Sequence, residues 1–101
     1  MPDFISGRWT PGTEGSVAVN SPYTGKSIGS VSVPSAKQID EAIKSADAAQ
    51  KDWGRTPMKE RAKVLFNFRN ILLRDIDMIA HVKSSESGKT FDEGKAGLMK
   101  G

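Results

Sequence analysis

From residue 58 to about residue 86 the apolar side chains keep a helical period, and they keep it on two faces at once. Leu65, Phe68, Leu72, Ile76 and Ile79 make one stripe; Val64, Ile71, Met78 and Val82 make a second. A helix that is apolar on more than one face needs neighbours on more than one side. That demand limits what a chain of 101 residues can be, because nothing else in it offers enough surface to cover both stripes. Arg74-Asp75-Ile76-Asp77 marks a kink or a recapped second helix within the run, and Gly88 ends it.

A second helix is predicted upstream, over residues 36–53. Ser35-Ala36-Lys37-Gln38 is a capping box, and Ile39, Ala42, Ile43, Ala46, Ala49 and Trp53 share one face. Gly54 stops this helix. Thr56 and Pro57 restart the chain, as N-cap and first helical residue. A connection this short predicts antiparallel helices, packed through Ile39, Ile43, Ala46 and Trp53. Residues 1–34 hold most of the glycine and proline and read as strands and turns. Phe4 to Trp9, Ser16 to Asn20 and Ile28 to Val33 give a small β-meander, marginal in water without a cover. The expectation is an α+β segment: strands and turns over 1–34, helices over 35–101, together one incomplete domain.

The charge balance excludes several classes. Fifteen basic and twelve acidic residues leave a net charge of +3 without a basic stripe, so nucleic acid is not an expected partner. Asp40 with Lys44, and Asp47 with Lys51, are spaced as ion pairs on a solvated helix face. The absence of cysteine removes disulfides, thiolate metal sites and thiol nucleophiles from this chain. The N-terminus has no secretory pattern and no apolar run is long enough for a bilayer; the chain reads as cytoplasmic, or as a mature organellar protein. A hydrophobic fraction of 37% fits a piece that borrows a neighbour's surface, and equally an ordinary small domain with a wet outside.

The residues alone make no active site. His81 is a single histidine with no second ligand, so it reads as surface or packing. Gly25-Lys26-Ser27 lacks both the earlier glycine and the following helix of a phosphate loop, and residues 94–101 lack the dinucleotide spacing. Glu86, Asp92 and Glu93, beside Lys89 and Lys95, read as caps and solvated charge. Trp53 reads as core. Thr90-Phe91-Asp92-Glu93 is a capping box that opens a glycine-punctured helix with nothing evident to pack against. The expectation is the front end of something larger.

Five stretches, in order, resemble the N-terminal part of the aldehyde dehydrogenase superfamily. Phe4-Ile5-Ser6-Gly7-Arg8-Trp9 is similar to its opening "(F)ING-x-W" strand, and Asn20-Ser21-Pro22-Tyr23-Thr24-Gly25-Lys26-Ser27-Ile28-Gly29 to its "NPATGE-x-IG" turn. Ala42 to Trp53 resembles an alanine-spaced helix ending in tryptophan, Arg61-Ala62 with Leu65-Phe66 resembles "ERA-x-(I)L", and Glu86-Ser87-Gly88-Lys89 resembles "E-(T/S)-G-K". The resemblance implies an α/β enzyme that oxidises an aldehyde with NAD or NADP through a cysteine thioester, released to water or coenzyme A. It implies a homo-oligomer in which the rest of the same polypeptide covers these helices. The family's catalytic and cofactor-binding residues lie downstream of "E-S-G-K", so none is carried onto this chain. One feature maps: a structural cation held by backbone carbonyls near Val19 and Asn20. The spacing from Gly88-Lys89-Thr90 to Lys100-Gly101 resembles the methylmalonate-semialdehyde dehydrogenase branch. The competing expectation is a standalone structural or interaction module built on the same front end.

Overall fold

The computed structural model describes all 101 residues, in two compact units. The first comprises Met1–Val19 and Ile28–Pro57; the second comprises Asn20–Ser27 and Met58–Gly101.

In the first unit, β1 (Asp3–Ile5) and β2 (Arg8–Thr10) form an antiparallel hairpin with Phe4 opposite Trp9. Ser6 and Gly7 make its two-residue loop, both with positive φ (52° and 75°). That is the backbone of the tight hairpin turn whose twist matches the strands. Ser6 is held by its hydroxyl, 2.5 Å from that of Ser45. The Phe4 and Trp9 rings meet at 5.0 Å between centroids, a tilted cross-strand pair. Strands β3 (Ser16–Asn20) and β4 (Ser27–Ser32) make a separate two-stranded sheet.

The expected meander is therefore corrected to two independent ribbons. The cause is the loop after β2. Instead of leading β2 into a ladder with β3, it is bonded to the end of β4 and to the start of a helix. Gly12 donates its N–H to Ser32 Oγ (2.8 Å), Glu14 N to the Val33 carbonyl (2.9 Å), and Val33 N to the Gly15 carbonyl (2.9 Å). Met1 adds to β4 from the chain start, accepting from Ser32 N and donating its amino group to the Ser30 carbonyl.

Helix α1 (Ala36–Trp53) begins at the expected capping box: Ser35 Oγ accepts from Gln38 N, and Gln38 Oε1 accepts from Ser35 N. Gln38 does more than cap. Its Oε1 also accepts from Thr13 N and Oγ1, and its Nε2 donates to the Pro11 carbonyl (2.9 Å). One carboxamide thus ties the loop to the helix start. Along the helix the Asp47–Lys51 pair forms at 4.0 Å; the other pair is Lys37–Glu41, not Asp40–Lys44. The apolar stripe of α1 finds little cover within its own unit. Ile39 and Ile43 are exposed, Trp53 is 39% exposed rather than core, and α1 buries no residue. The unit offers only narrow ribbons, which cannot cover an 18-residue stripe. Thr56 also departs from its expected role as N-cap: its hydroxyl donates backwards to the Asp52 carbonyl.

In the second unit the long run divides as the sequence suggests, into α2 (Met58–Arg74) and α3 (Ile76–Ser87). Asp75 interrupts the helix at φ −103°, ψ 12° and makes no side-chain cap; its carboxylate instead takes the guanidinium fork of Arg74 at 2.9 and 2.8 Å. Gly88, left-handed at φ 74°, ends α3 with its N–H on the Ser84 carbonyl. Helix α4 (Phe91–Lys100) starts at the Thr90–Glu93 capping box.

Gly12 gives a direct test of the loop clamp. A Cβ there would lie 2.3 Å from the carbonyl carbon and oxygen of Val33 and 2.7 Å from Pro34 N. Backbone cannot yield as a flexible side chain does, so Gly12→Ala is expected to destabilise the first unit by about 1–3 kcal/mol, the usual cost of overpacking. Denaturant melts of the two proteins measure this, and an unchanged midpoint would show that the loop is not seated on Val33.

Candidate functional site

The second unit brings together two of the motif stretches, far apart in sequence, at one corner. The turn Asn20–Ser27 is internally fixed: Ser21 N donates to the Lys26 carbonyl, Gly25 N to the Ser21 carbonyl, and Tyr23 N to Ser21 Oγ. Ser21 is the buried polar residue of the chain; its hydroxyl folds the turn back on itself as serine commonly does. Pro22 rests on Gly88, where a Cβ would come within 3.2 Å of the ring's Cγ. Tyr23 Oη donates to the Lys89 carbonyl at 2.6 Å, and Ser84 Oγ donates to the same oxygen. Gly88 thus serves twice, once for its positive φ and once for the close approach of Pro22.

Past this corner α4 lies along α3. The contact is made by small residues: Ala80 is fully buried, and Gly94 faces its carbonyl so closely that a Cβ would sit at 3.4 Å. At Gly97 a Cβ would meet Lys83 Nζ at 2.8 Å. His81 stacks on Phe91 at 4.4 Å between centroids, and Lys95 reaches Asp77 at 2.7 Å. The glycines of α4, read from sequence as weak points with nothing to pack against, lie on the face that meets α3. His81 takes the packing role expected of it. Glu93 caps, with Oε2 accepting from Thr90 N at 3.0 Å. Gly25-Lys26-Ser27 runs from a turn into β4, so the phosphate-loop reading stays excluded.

There is no cysteine, and no cluster of three histidine, cysteine, aspartate or glutamate side chains that could hold a metal ion. Val19 and Asn20 are the last two residues of β3. Asp75 is held below the usual carboxylate range, first by its hydrogen bond from Arg74 and then, against the opposing effect of burial, by that residue's charge; Arg74 is correspondingly raised. A depressed carboxylate lends stability above its unfolded range and loses it as the pH falls through the folded value. The pair is exposed, so this is a local effect.

What the chain does present is apolar surface. Leu65, Phe68, Leu72, Ile76, Leu98 and Met99 line a groove of about 350 Å3 in the second unit, and Phe66 and Phe68 are 65% and 63% exposed. The only buried hydrophobic side chains are Ile76 and Ala80. Arg61 has its Nε buried with no acceptor, an unmet demand of the kind native structures rarely keep.

The pattern of the aldehyde dehydrogenase family matches residues 9–101. The chain belongs to the aldehyde dehydrogenase family. Malonate-semialdehyde dehydrogenase 2 of Geobacillus kaustophilus (strain HTA426) is 30% identical over 102 residues, which take in 100% of this chain and 21% of that protein. A crystal structure of a Bacillus subtilis strain 168 protein assigned to the aldehyde dehydrogenases superposes with a TM-score of 0.93 at 30% identity, over 98% of this chain and 22% of that one. A betaine aldehyde dehydrogenase from Staphylococcus aureus, crystallised with NAD+, shares the fold at a TM-score of 0.91 and 21% identity, over 97% of this chain and 20% of that one. The chain thus spans about one fifth of the length of the relatives it matches. Within this aldehyde dehydrogenase segment, the "NPATGE"-like turn and the "E-S-G-K" helix end are the two stretches that meet at the Tyr23–Lys89 corner. The sequence marked both ends of that contact as motifs but not the contact itself.

Two predictions follow from this packing. Gly94→Leu is expected to push α4 off α3 and cost about 1–3 kcal/mol, whereas Gly94→Ala, at ordinary contact distance, is expected to be tolerated; thermal melts of both variants separate the two outcomes. The exposed stripes predict that the 101-residue chain self-associates or folds loosely by itself. Sedimentation at tens of micromolar reads this directly, and a compact monomer with a cooperative melt would contradict it.

Proposed function

We propose that these residues serve as the N-terminal segment of a nicotinamide-dependent semialdehyde dehydrogenase, and that their own task is scaffolding. The observation that supports this most is the similarity to a malonate-semialdehyde dehydrogenase along the entire chain. In this reading a cysteine outside the chain attacks the aldehyde carbonyl, NAD or NADP accepts the hydride, and the thioester is released to water or coenzyme A. The dinucleotide does not fit the residues present. Gly94 and Gly97 lie within helix α4 against Ala80 and Lys83, not in a strand-to-helix turn. The segment therefore supplies no step of the chemistry. It supplies capped helices and an apolar face for the remainder of a cytoplasmic, oligomeric enzyme. No helix is long and apolar enough to cross a membrane. If a structural cation belongs to the same architecture, the backbone carbonyls of Val19 and Asn20 are its share here.

The test compares two proteins with malonate semialdehyde and NAD+. The 101-residue chain is expected to yield no reduced cofactor. A longer polypeptide carrying these residues is expected to yield it and to lose the activity when its thiols are alkylated. Inertness of the longer polypeptide toward semialdehydes, or turnover by the chain alone with contaminating enzyme excluded, would overturn the reading.

A further inference from the structure

We propose that the face of α2 marked by Arg61, Leu65 and Arg69 is a docking site for a segment of the longer polypeptide that carries a carboxylate among apolar side chains, and that Arg69 takes this carboxylate. The three residues follow one another at intervals of four, so they lie on successive turns of one helix face. Arg69 stands where two apolar hollows meet. One is the groove of about 350 Å3 between α2 and the end of α4, which Arg69 and Lys100 also line. The other, of about 340 Å3, is lined by Ala62, Leu65, Phe66 and Arg69. No carboxylate lines either hollow.

Helix α2 sets Lys59, Arg61, Lys63, Arg69 and Arg74 against one carboxylate, Glu60. Lys63 takes Glu60 at 3.6 Å, and Arg74 turns to Asp75. Arg69 is left without an ion pair. In water this costs nothing, but it decides what can cover the hollows. A side chain that fills them strips water from Arg69, and a purely apolar cover leaves an unpaired cation behind. That costs more than burying one aliphatic side chain returns. A carboxylate removes the conflict, because the guanidinium fork donates two parallel hydrogen bonds to it. Arg61 shows the same want two turns upstream, with its Nε cut off from water and no acceptor in the chain. A second copy does not fit the face: a symmetric pair sets the same surface against itself and brings Arg69 and Lys100 against like charges. In the reading proposed above, on which this rests, the longer polypeptide supplies the occupant, since the chain spans 21% of the malonate-semialdehyde dehydrogenase it matches.

Denaturant melts of a longer polypeptide carrying these residues, unsubstituted and as Arg69→Met, Arg69→Lys and Lys63→Met, test this. Methionine keeps an apolar stem and removes the charge. Arg69→Met is expected to lower the folding constant roughly tenfold to a hundredfold. Arg69→Lys is expected to recover part of that loss, and it carries the comparison where Arg69→Met does not fold. Lys63→Met, which removes an exposed charge paired with Glu60, is expected to change little. A carboxylate held below its unfolded range contributes above that range and loses its contribution as the pH falls. The gap between the unsubstituted protein and Arg69→Met is therefore expected to narrow as the pH falls below about 5. A gap independent of pH would mean an uncharged acceptor and would overturn the docking. So would an unchanged folding constant, or an equal loss in Lys63→Met. Weaker self-association of the 101-residue chain on Arg69→Met, read by sedimentation, would place a second copy on the face and would also overturn it. None of these readouts uses turnover, so they stand whether or not the longer polypeptide oxidises a semialdehyde.

Discussion

Ile76 and Ala80 are the hydrophobic side chains this protein buries, and the scarcity of such burial governs everything else about it. Fixing a residue's backbone costs roughly 1–2 kcal/mol in conformational entropy, while a net hydrogen bond returns about 0.5–1.5 kcal/mol. Polar clamps can select a conformation but cannot hold many residues against that cost without apolar burial. Both units are nevertheless organised by such clamps: Gln38 gathers Pro11, Thr13 and Ser35 in one, and the Lys89 carbonyl gathers Tyr23 and Ser84 in the other. The missing free energy must come from surfaces that cover α1 and α2. The two-faced stripe of α2, the groove it shares with Leu98 and Met99, and the orphaned Nε of Arg61 all ask for the same cover.

The helices were legible because their signals are local. Ser35 with Gln38, Thr90 with Glu93, and Gly88 each act within one turn, and each behaves as its spacing predicts. The strands were less legible. Ser6 adopts a left-handed conformation more typical of asparagine or glycine, so the tight hairpin between β1 and β2 had only Gly7 to announce it. Trp53 shows a different limit: periodicity states which face of a helix is apolar, not whether a neighbour exists to cover it. Gly94 and Gly97 show the converse. Glycine lowers helix propensity, so they read as weakness, yet their place against α3 is a tertiary fact that no local window contains. The Tyr23–Lys89 contact was invisible for the same reason, although the motifs at both of its ends were recognised.

The distribution of polar groups also bears on the proposed scaffolding role. A catalytic acid or base needs a side chain whose charged state is poised to change, in a site that can admit a substrate. Several polar side chains here are already engaged. Glu93 and Gln38 close capping boxes, Ser84, Ser85 and Ser87 bond backbone carbonyls, and Asp77 meets Lys95. In the Arg74–Asp75 pair each partner is shifted toward keeping its charge, the opposite of what proton transfer requires. Engaged side chains on the polar faces, set beside bare apolar faces on α1 and α2, are what a scaffold needs. The polar side orders each unit, and the apolar faces of α1 and α2 stay exposed.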